Sequence, residues 1–122
     1  MEGQPVLKAV FHVDEPEKLE LALANVRNLL AYYAQRELEH RTEIVLNSRA
    51  VLALVRDPQN PSDTEGALNG LNDQGVRIAA CGNALRGLAI DPGSLYPFVR
   101  VVPAGVAELV IRQAEGYAYI KP

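Results

Sequence analysis

The sequence predicts an α/β fold: a three-layer α/β/α sandwich on a mainly parallel five-stranded sheet of the flavodoxin/Rossmann-like kind. Three observations predict it. Short apolar runs alternate with stretches of helical periodicity along all 122 residues. Several of those runs are apolar at successive positions, as in strands covered on both faces, rather than alternating as in a half-solvated sheet. No repeat, low-complexity tract or linker divides the chain, so residues 1–122 are expected to form a single domain.

The first run, residues 6–13 (VLKAVFHV), is expected to be a buried strand. Asp14 and Glu17 then have the spacing of a capping box, and Pro16 suits a first helical turn. Leu19, Leu23, Val26, Leu30 and Tyr33 recur at helical spacing beside Ala22 and Leu29, which predicts a long helix over about residues 16–37. The charged stretch at residues 36–41 places His40 at a solvated helix end. Residues 42–47 (TEIVLN) form a second strand, and Ser48 is positioned to cap a short helix running to Val55. Prolines at 58 and 61 dictate a loop. Ser62 and Glu65 repeat the capping-box spacing, Leu68 and Leu71 give that helix its apolar face, and Gly75 suits the position just past its end.

Residues 76–81 (VRIAAC) are the third strand, where Gly82 permits a sharp turn and Asn83 can cap the next helix. A short helix and a loop broken by Gly87, Pro92, Gly93 and Pro97 lead to a fourth strand at residues 99–102. The last helix opens at residues 103–106, with Val106, Leu109 and Val110 as its apolar positions, and ends at Gly116. Residues 117–122 (YAYIKP) alternate as a fifth strand carried to the end of the chain. Aromatic side chains on such an edge predict that it packs against a helix or another subunit.

Charge and composition remove several classes of function. Twelve Lys and Arg are scattered among fifteen Asp and Glu, for a net charge of −3 and a pI near 5.3, so no nucleic-acid partner is expected. A single cysteine cannot form an internal disulfide. The opening residues 1–5 (MEGQP) are acidic where a signal peptide would be basic, and no apolar run is long enough to span a bilayer. A cytoplasmic protein without membrane association is the expectation. After the first strand, Asp14, Glu15 and Glu17 would repel a phosphate and Pro16 removes an N–H donor. No dinucleotide fingerprint, no nucleophile elbow around Ser48 and no paired metal-ligand spacing occurs, so neither cofactor nor metal is expected.

Cys81 remains. In parallel α/β sheets, chemistry gathers beyond the carboxyl ends of the strands. Those ends here bring His12, Asn47 and Ser48, then Cys81 with Gly82, Asn83 and Ala84, then Pro103. A thiol facing free N–H groups at a helix start is favoured as the thiolate, its nucleophilic form. Against this, a lone cysteine in a strand is more often a small hydrophobe. His12 reads equally as a core histidine or as a companion of the thiol.

Residues 10–14 (VFHVD), 24–30 (ANVRNLL), 75–85 (GVRIAACGNAL), 101–109 (VVPAGVAEL) and 113–122 (QAEGYAYIKP) together resemble the DsrE/DsrF-like proteins, in order and over nearly the whole chain. The resemblance implies a three-layer fold of the DsrEFH-like kind and a homo-oligomer such as a trimer or hexamer. It also implies a part in intracellular sulfur relay, in which a cysteine carries sulfur as a persulfide and passes it to a partner protein. Cys81, followed by Gly82 and Asn83, matches the Cys-x-Asn segment. N–H groups of Asn83 and Ala84, and His12 if protonated, would stabilise the persulfide anion. No second cysteine is present to resolve a persulfide, so transfer requires an acceptor. The expectation is a sulfur carrier or sulfurtransferase acting through Cys81. Its rival is a non-catalytic oligomeric binding or assembly module whose small pocket Cys81 merely lines. The exposure and acidity of the thiol separate the two.

Overall fold

A computed structural model describes residues 5–122; the acidic opening, residues 1–4, lies outside the described residues. Five strands, β1 (Leu7–Val13), β2 (His40–Leu46), β3 (Arg77–Cys81), β4 (Arg100–Val102) and β5 (Ala118–Ile120), form one sheet in the order β4-β3-β2-β1-β5. Every pairing is parallel. The helices are α1 (Leu19–Arg36), α2 (Asp63–Asp73), α3 (Gly82–Gly87) and α4 (Gly105–Ala114), with a 3-10 helix over Ser48–Leu54. The expected α/β sandwich is observed, and its sheet is wholly parallel.

Strand order dictates which face each helix covers. From β1 through β4 the chain steps in one direction, and right-handed crossovers then place every connection on one side. On that side α1, the 3-10 helix, α2 and α3 bury Leu23, Val26, Leu54, Leu68 and Leu85 against Phe11, Ile44, Leu46 and Ile78. The last connection reverses, from β4 back past three strands to β5. Helix α4 therefore crosses the other face, over β1, β2 and β3. A smaller core of Val10, Val45, Ala79, Leu109 and Tyr117 lies beneath it. Strand alternation puts Lys8 and His12 of β1, Arg41 and Glu43 of β2, and Arg77 and Cys81 of β3 on this same face.

Several local expectations are corrected. Strand β2 begins at His40 rather than Thr42, because parallel pairing with β1 starts there: Leu7 lies opposite His40 and donates its N–H to the Glu39 carbonyl. The imidazole stacks on Tyr33 of α1 with ring centroids 4.7 Å apart. His40 is thus a strand residue and not a solvated helix end; Glu37, in the left-handed region at φ 54°, ends α1. The capping box at Asp14 does not form. Lys121 holds Asp14 at 2.9 Å, which draws its carboxyl below its ordinary pKa, while Glu15 stands at the cap position and pairs with Arg49 at 2.7 Å. At Ser62 half the box forms, the Glu65 N–H donating to Ser62 Oγ at 3.4 Å. Gly75 closes α2 at φ 95°, as the position past a helix end demands.

Helix α4 departs furthest from expectation. Only Leu109 of its three apolar positions is buried, whereas Val106 and Val110 are 62% and 66% exposed, with Ile111 beside them. The short helix brings one stripe to the sheet and turns a second outward. Strand β5 ends at Ile120 and does not continue to Pro122. Tyr117, just before it, packs under α4, while Tyr119 stays exposed. Among the described residues no helix is long and apolar enough to cross a membrane.

Candidate functional site

Adjacent strands β3 and β4 send the chain in opposite directions, one into α3 and the other into α4 on the far face. That divergence makes a topological switch point, the place where open parallel sheets hold ligands. Cys81, the last residue of β3, pairs there with Val102, the last of β4. Two glycines permit the close approach. A Cβ on Gly82 would lie 3.0 Å from the Val102 carbonyl oxygen and 3.3 Å from that of Pro103. A Cβ on Gly105, the first residue of α4, would lie 3.0 Å from Asn47 Cβ and 3.2 Å from Cys81 Cβ. Pro103 therefore contributes its backbone to the wall, with its ring exposed.

Cys81 is 7% exposed. Its backbone is extended and its Sγ accepts the Ala84 N–H at 3.4 Å, so the thiol itself caps α3. Asn83 does not perform that role. It lies within α3, exposed to solvent, and its Oδ1 accepts from Arg86. Of the two N–H groups expected at the sulfur, the one from Ala84 reaches it.

Beside the thiol, the ends of β1 and β2 bring His12 and Asn47 together. His12 Nε2 is 2.9 Å from Asn47 Oδ1, and His12 Nδ1 is 2.6 Å from the Tyr119 hydroxyl. An amide oxygen only accepts, so Nε2 carries the proton and Nδ1 accepts from the tyrosine. Both ring nitrogens are engaged, and neither is directed at sulfur. Asn47 is the intermediate, meeting His12 through its side-chain oxygen and packing with Cys81 around Gly105. Tyr119 and Gly105 are site residues that sequence reasoning missed. Tyr119 lies 107 positions from His12, and only the β1–β5 pairing brings them together.

Ser48 does not cap the segment that follows it. Asn47 holds that position without a side-chain capping bond, its amide oxygen being turned to His12, and Ser48 takes a left-handed conformation at φ 51°. With Arg49, Ala84, Gly87 and Leu88 it lines a shallow depression of about 270 Å³. The expected residues thus divide. Cys81, Gly82, Ala84, Asn47 and the Pro103 backbone converge; His12 stands one contact away; Ser48 and Asn83 lie at the solvent rim. A thiol with one N–H donor on its sulfur, and no imidazole or carboxylate hydrogen-bonded to it among the described residues, suits nucleophilic attack or carriage rather than acid–base hydrolysis.

A second polar cluster fastens the far end of α4. Glu43 is 1% exposed and accepts from Arg112 Nε at 2.6 Å; Arg112 also meets Glu108 at 3.1 Å and Glu115 at 2.9 Å. Burial, and then the neighbouring Glu108, push Glu43 up to about 7. The same proximity to Glu43 holds Glu108 below the ordinary carboxyl value, with Arg112 acting in the same direction. Burial opposes the charge on Arg112, but Glu115 and Glu43 outweigh it and raise its pKa further.

The comparisons with known proteins agree with this architecture. The DsrE/DsrF-like family model matches residues 8–122. A structure described as that of a protein of unknown function, MTH1491 from Methanobacterium thermoautotrophicum, is 42% identical with a TM-score of 0.82, and the match covers 95% of this chain and 99% of that one. The ychN protein from E. coli is 22% identical with a TM-score of 0.74, over 96% and 100% of the two chains, a likeness of fold. No curated protein matches the chain. With a match running from residue 8 to residue 122, the chain belongs to the DsrE/DsrF-like family.

Proposed function

We propose that the protein is a sulfur carrier or sulfurtransferase that takes up sulfur as a persulfide on Cys81 and passes it to a partner protein. The observation that carries this reading is the placing of Cys81 at the β3–β4 switch point with the Ala84 N–H on its sulfur. A cysteine that merely filled space would serve as well at any of the buried positions 78–80. Instead it occupies the one position of β3 from which the chain turns into a helix.

The chemistry balances with two thiols. The Cys81 thiolate attacks the terminal sulfur of a donor persulfide; the donor's S–S bond breaks, its thiolate leaves, and a new S–S bond forms on Cys81. An acceptor thiolate then attacks that outer sulfur and frees the Cys81 thiolate again. Neither half consumes an oxidant or reductant. The Ala84 N–H stabilises anionic sulfur, and His12 acts by holding Asn47 against Gly105. Such a carrier works where thiols are kept reduced, in the cytoplasm.

A second reading has its own support, since Cys81 is 7% exposed and α4 turns Val106, Val110 and Ile111 outward. On that reading the protein is an oligomeric binding or assembly module, and Cys81 is a packing residue. Mass spectrometry after incubation with a small-molecule persulfide separates them, with Cys81→Ser as control. A reductant-reversible gain of one sulfur atom on the wild type alone supports the carrier. An unmodified wild type whose Cys81 also resists alkylation in the folded state establishes the module.

A further inference from the structure

We propose that a cavity of about 470 Å³ at the amino ends of β1, β2 and β3, at the opposite end of the sheet from Cys81, binds a small oxyanion of the phosphate class. The inference is independent of the persulfide reading. It also leaves intact the exclusion of phosphate from the acidic loop after β1, which is at the carboxyl end.

The charge of the cavity runs against that of the chain. A protein of net charge −3 places Lys8, Arg41, Arg77 and Arg112 around one space, together with His40 and Thr42, and Glu115 is the one carboxylate in its lining. Register makes the crowding specific. Lys8 on β1 lies directly opposite Arg41 on β2, and Arg77 on β3 lies opposite Glu43, one pleat further along the same face. Cross-strand neighbours sit close enough for like charges to repel. Part of that charge is answered within the protein. Arg112 is paired with Glu43, Glu108 and Glu115, Lys8 Nζ donates to the Glu115 carbonyl at 3.0 Å, and Glu108 feels the charge of Arg77. Arg41 and Arg77 form no ion pair among the described residues.

Unpartnered buried atoms supply the second, independent observation. His40 Nδ1, Thr42 Oγ1 and Arg77 Nε are the buried side-chain polar atoms without a hydrogen-bond partner among the described residues, and all three residues border this cavity. Thr42 is 3% exposed. Alternation puts His40 and Thr42 on the α1 side of the sheet edge and Arg77 on the α4 side with Lys8 and Arg41. Buried polar groups are nearly always satisfied, so the orphaned Arg77 Nε among these cations points to something that satisfies it. The donor set names its chemistry. Guanidinium forks offer paired N–H groups to two oxygens of a tetrahedral anion, and the Lys8 ammonium adds a point charge on the same face. The volume exceeds that of a bare phosphate and falls in the range of small-ligand sites, with Val76 and the Tyr117 ring as apolar wall.

The test is isothermal titration and thermal unfolding of the full chain at constant ionic strength. Inorganic phosphate, pyrophosphate and ribose 5-phosphate serve as probes, with chloride as control. Saturable binding of a phosphate probe to the wild type is expected, weakened about tenfold or more in Arg41→Gln and Arg77→Gln. The His40 ring signals are expected to shift on binding while those of His12 do not. Preference for ribose 5-phosphate would identify an ester, and equal binding the free ion. If Arg77→Gln fails to fold, Arg77→Lys keeps the charge, loses the fork and is still expected to weaken binding. An absence of saturable binding, an equal response to chloride, or binding unchanged in the folded variants would overturn the proposal and leave the three atoms to water.

Discussion

Gly105 rests directly on Cys81: a Cβ at residue 105 would stand 3.2 Å from the Cβ of the cysteine and 3.0 Å from that of Asn47. The start of α4 is thereby seated on the carboxyl ends of β2 and β3, and the thiol is roofed by a residue with no side chain.

Two glycine-to-alanine changes are therefore expected to act in opposite directions. Gly105→Ala forces Asn47 and Cys81 aside and destabilises by about 1–3 kcal/mol, the usual range for overpacking. Gly66→Ala, inside α2 with nothing within 4 Å of the new methyl, stabilises by about 0.5–1 kcal/mol. Urea unfolding at equal m-value reads both, and a neutral Gly105→Ala would mean that α4 sits looser on the site than described.

The Glu43–Glu108–Arg112 cluster makes stability depend on pH. Glu43 titrates near 7 in the folded chain against an ordinary value of 4.5, so the folded protein retains a proton that the unfolded chain has released. The contribution of this group is complete below about pH 4.5 and is lost as pH rises through 7. Glu108 shifts the other way and contributes above its unfolded value, losing its effect only in stronger acid. Glu43→Gln keeps the neutral shape. Relative to the wild type it is expected to gain stability from about pH 4.5 to 7, by up to about 3 kcal/mol, and to level off above that. Parallel stability curves for the two proteins across that interval would show that Glu43 is ionised in the fold.

The outward stripe of α4 is proposed as a contact between copies of the chain, a trimer or hexamer being the assembly the family resemblance implies. Val106, Val110 and Ile111 form an apolar surface with no covering element in the monomer. Light scattering of the wild type is expected to give a multiple of 13.3 kDa, and Val110→Glu a monomer. Because Val110 is 66% exposed, the variant should unfold within about 0.5 kcal/mol of its dissociated parent. A monomeric wild type would end this proposal.

The legible parts of the fold were those in which local pattern and tertiary role coincide. Leu19, Leu23, Val26, Leu30 and Tyr33 mark one stripe on an 18-residue helix, and that stripe can only face the sheet. In the 10-residue α4, Val106 and Val110 alternate with Leu109 around the helix, and periodicity alone does not say which side meets strands. Cys81 was readable as a strand end because Gly82 follows it. Its role as the cap was not, since Asn83 is the better capping residue type and the geometry gave the task to sulfur. The His12–Tyr119 bond and the cationic cavity were invisible for a shared reason. Residues 8, 41 and 77, like 12 and 119, meet only through parallel register, residue 112 joins them only because α4 crosses that face, and a net negative composition conceals a local excess of cations.

Both borders of the sheet, β4 and β5, are only three residues long. A foreign strand approaching either border finds few free backbone groups to zip onto. Open-ended growth by sheet continuation, the route to fibres, is thus denied on both sides.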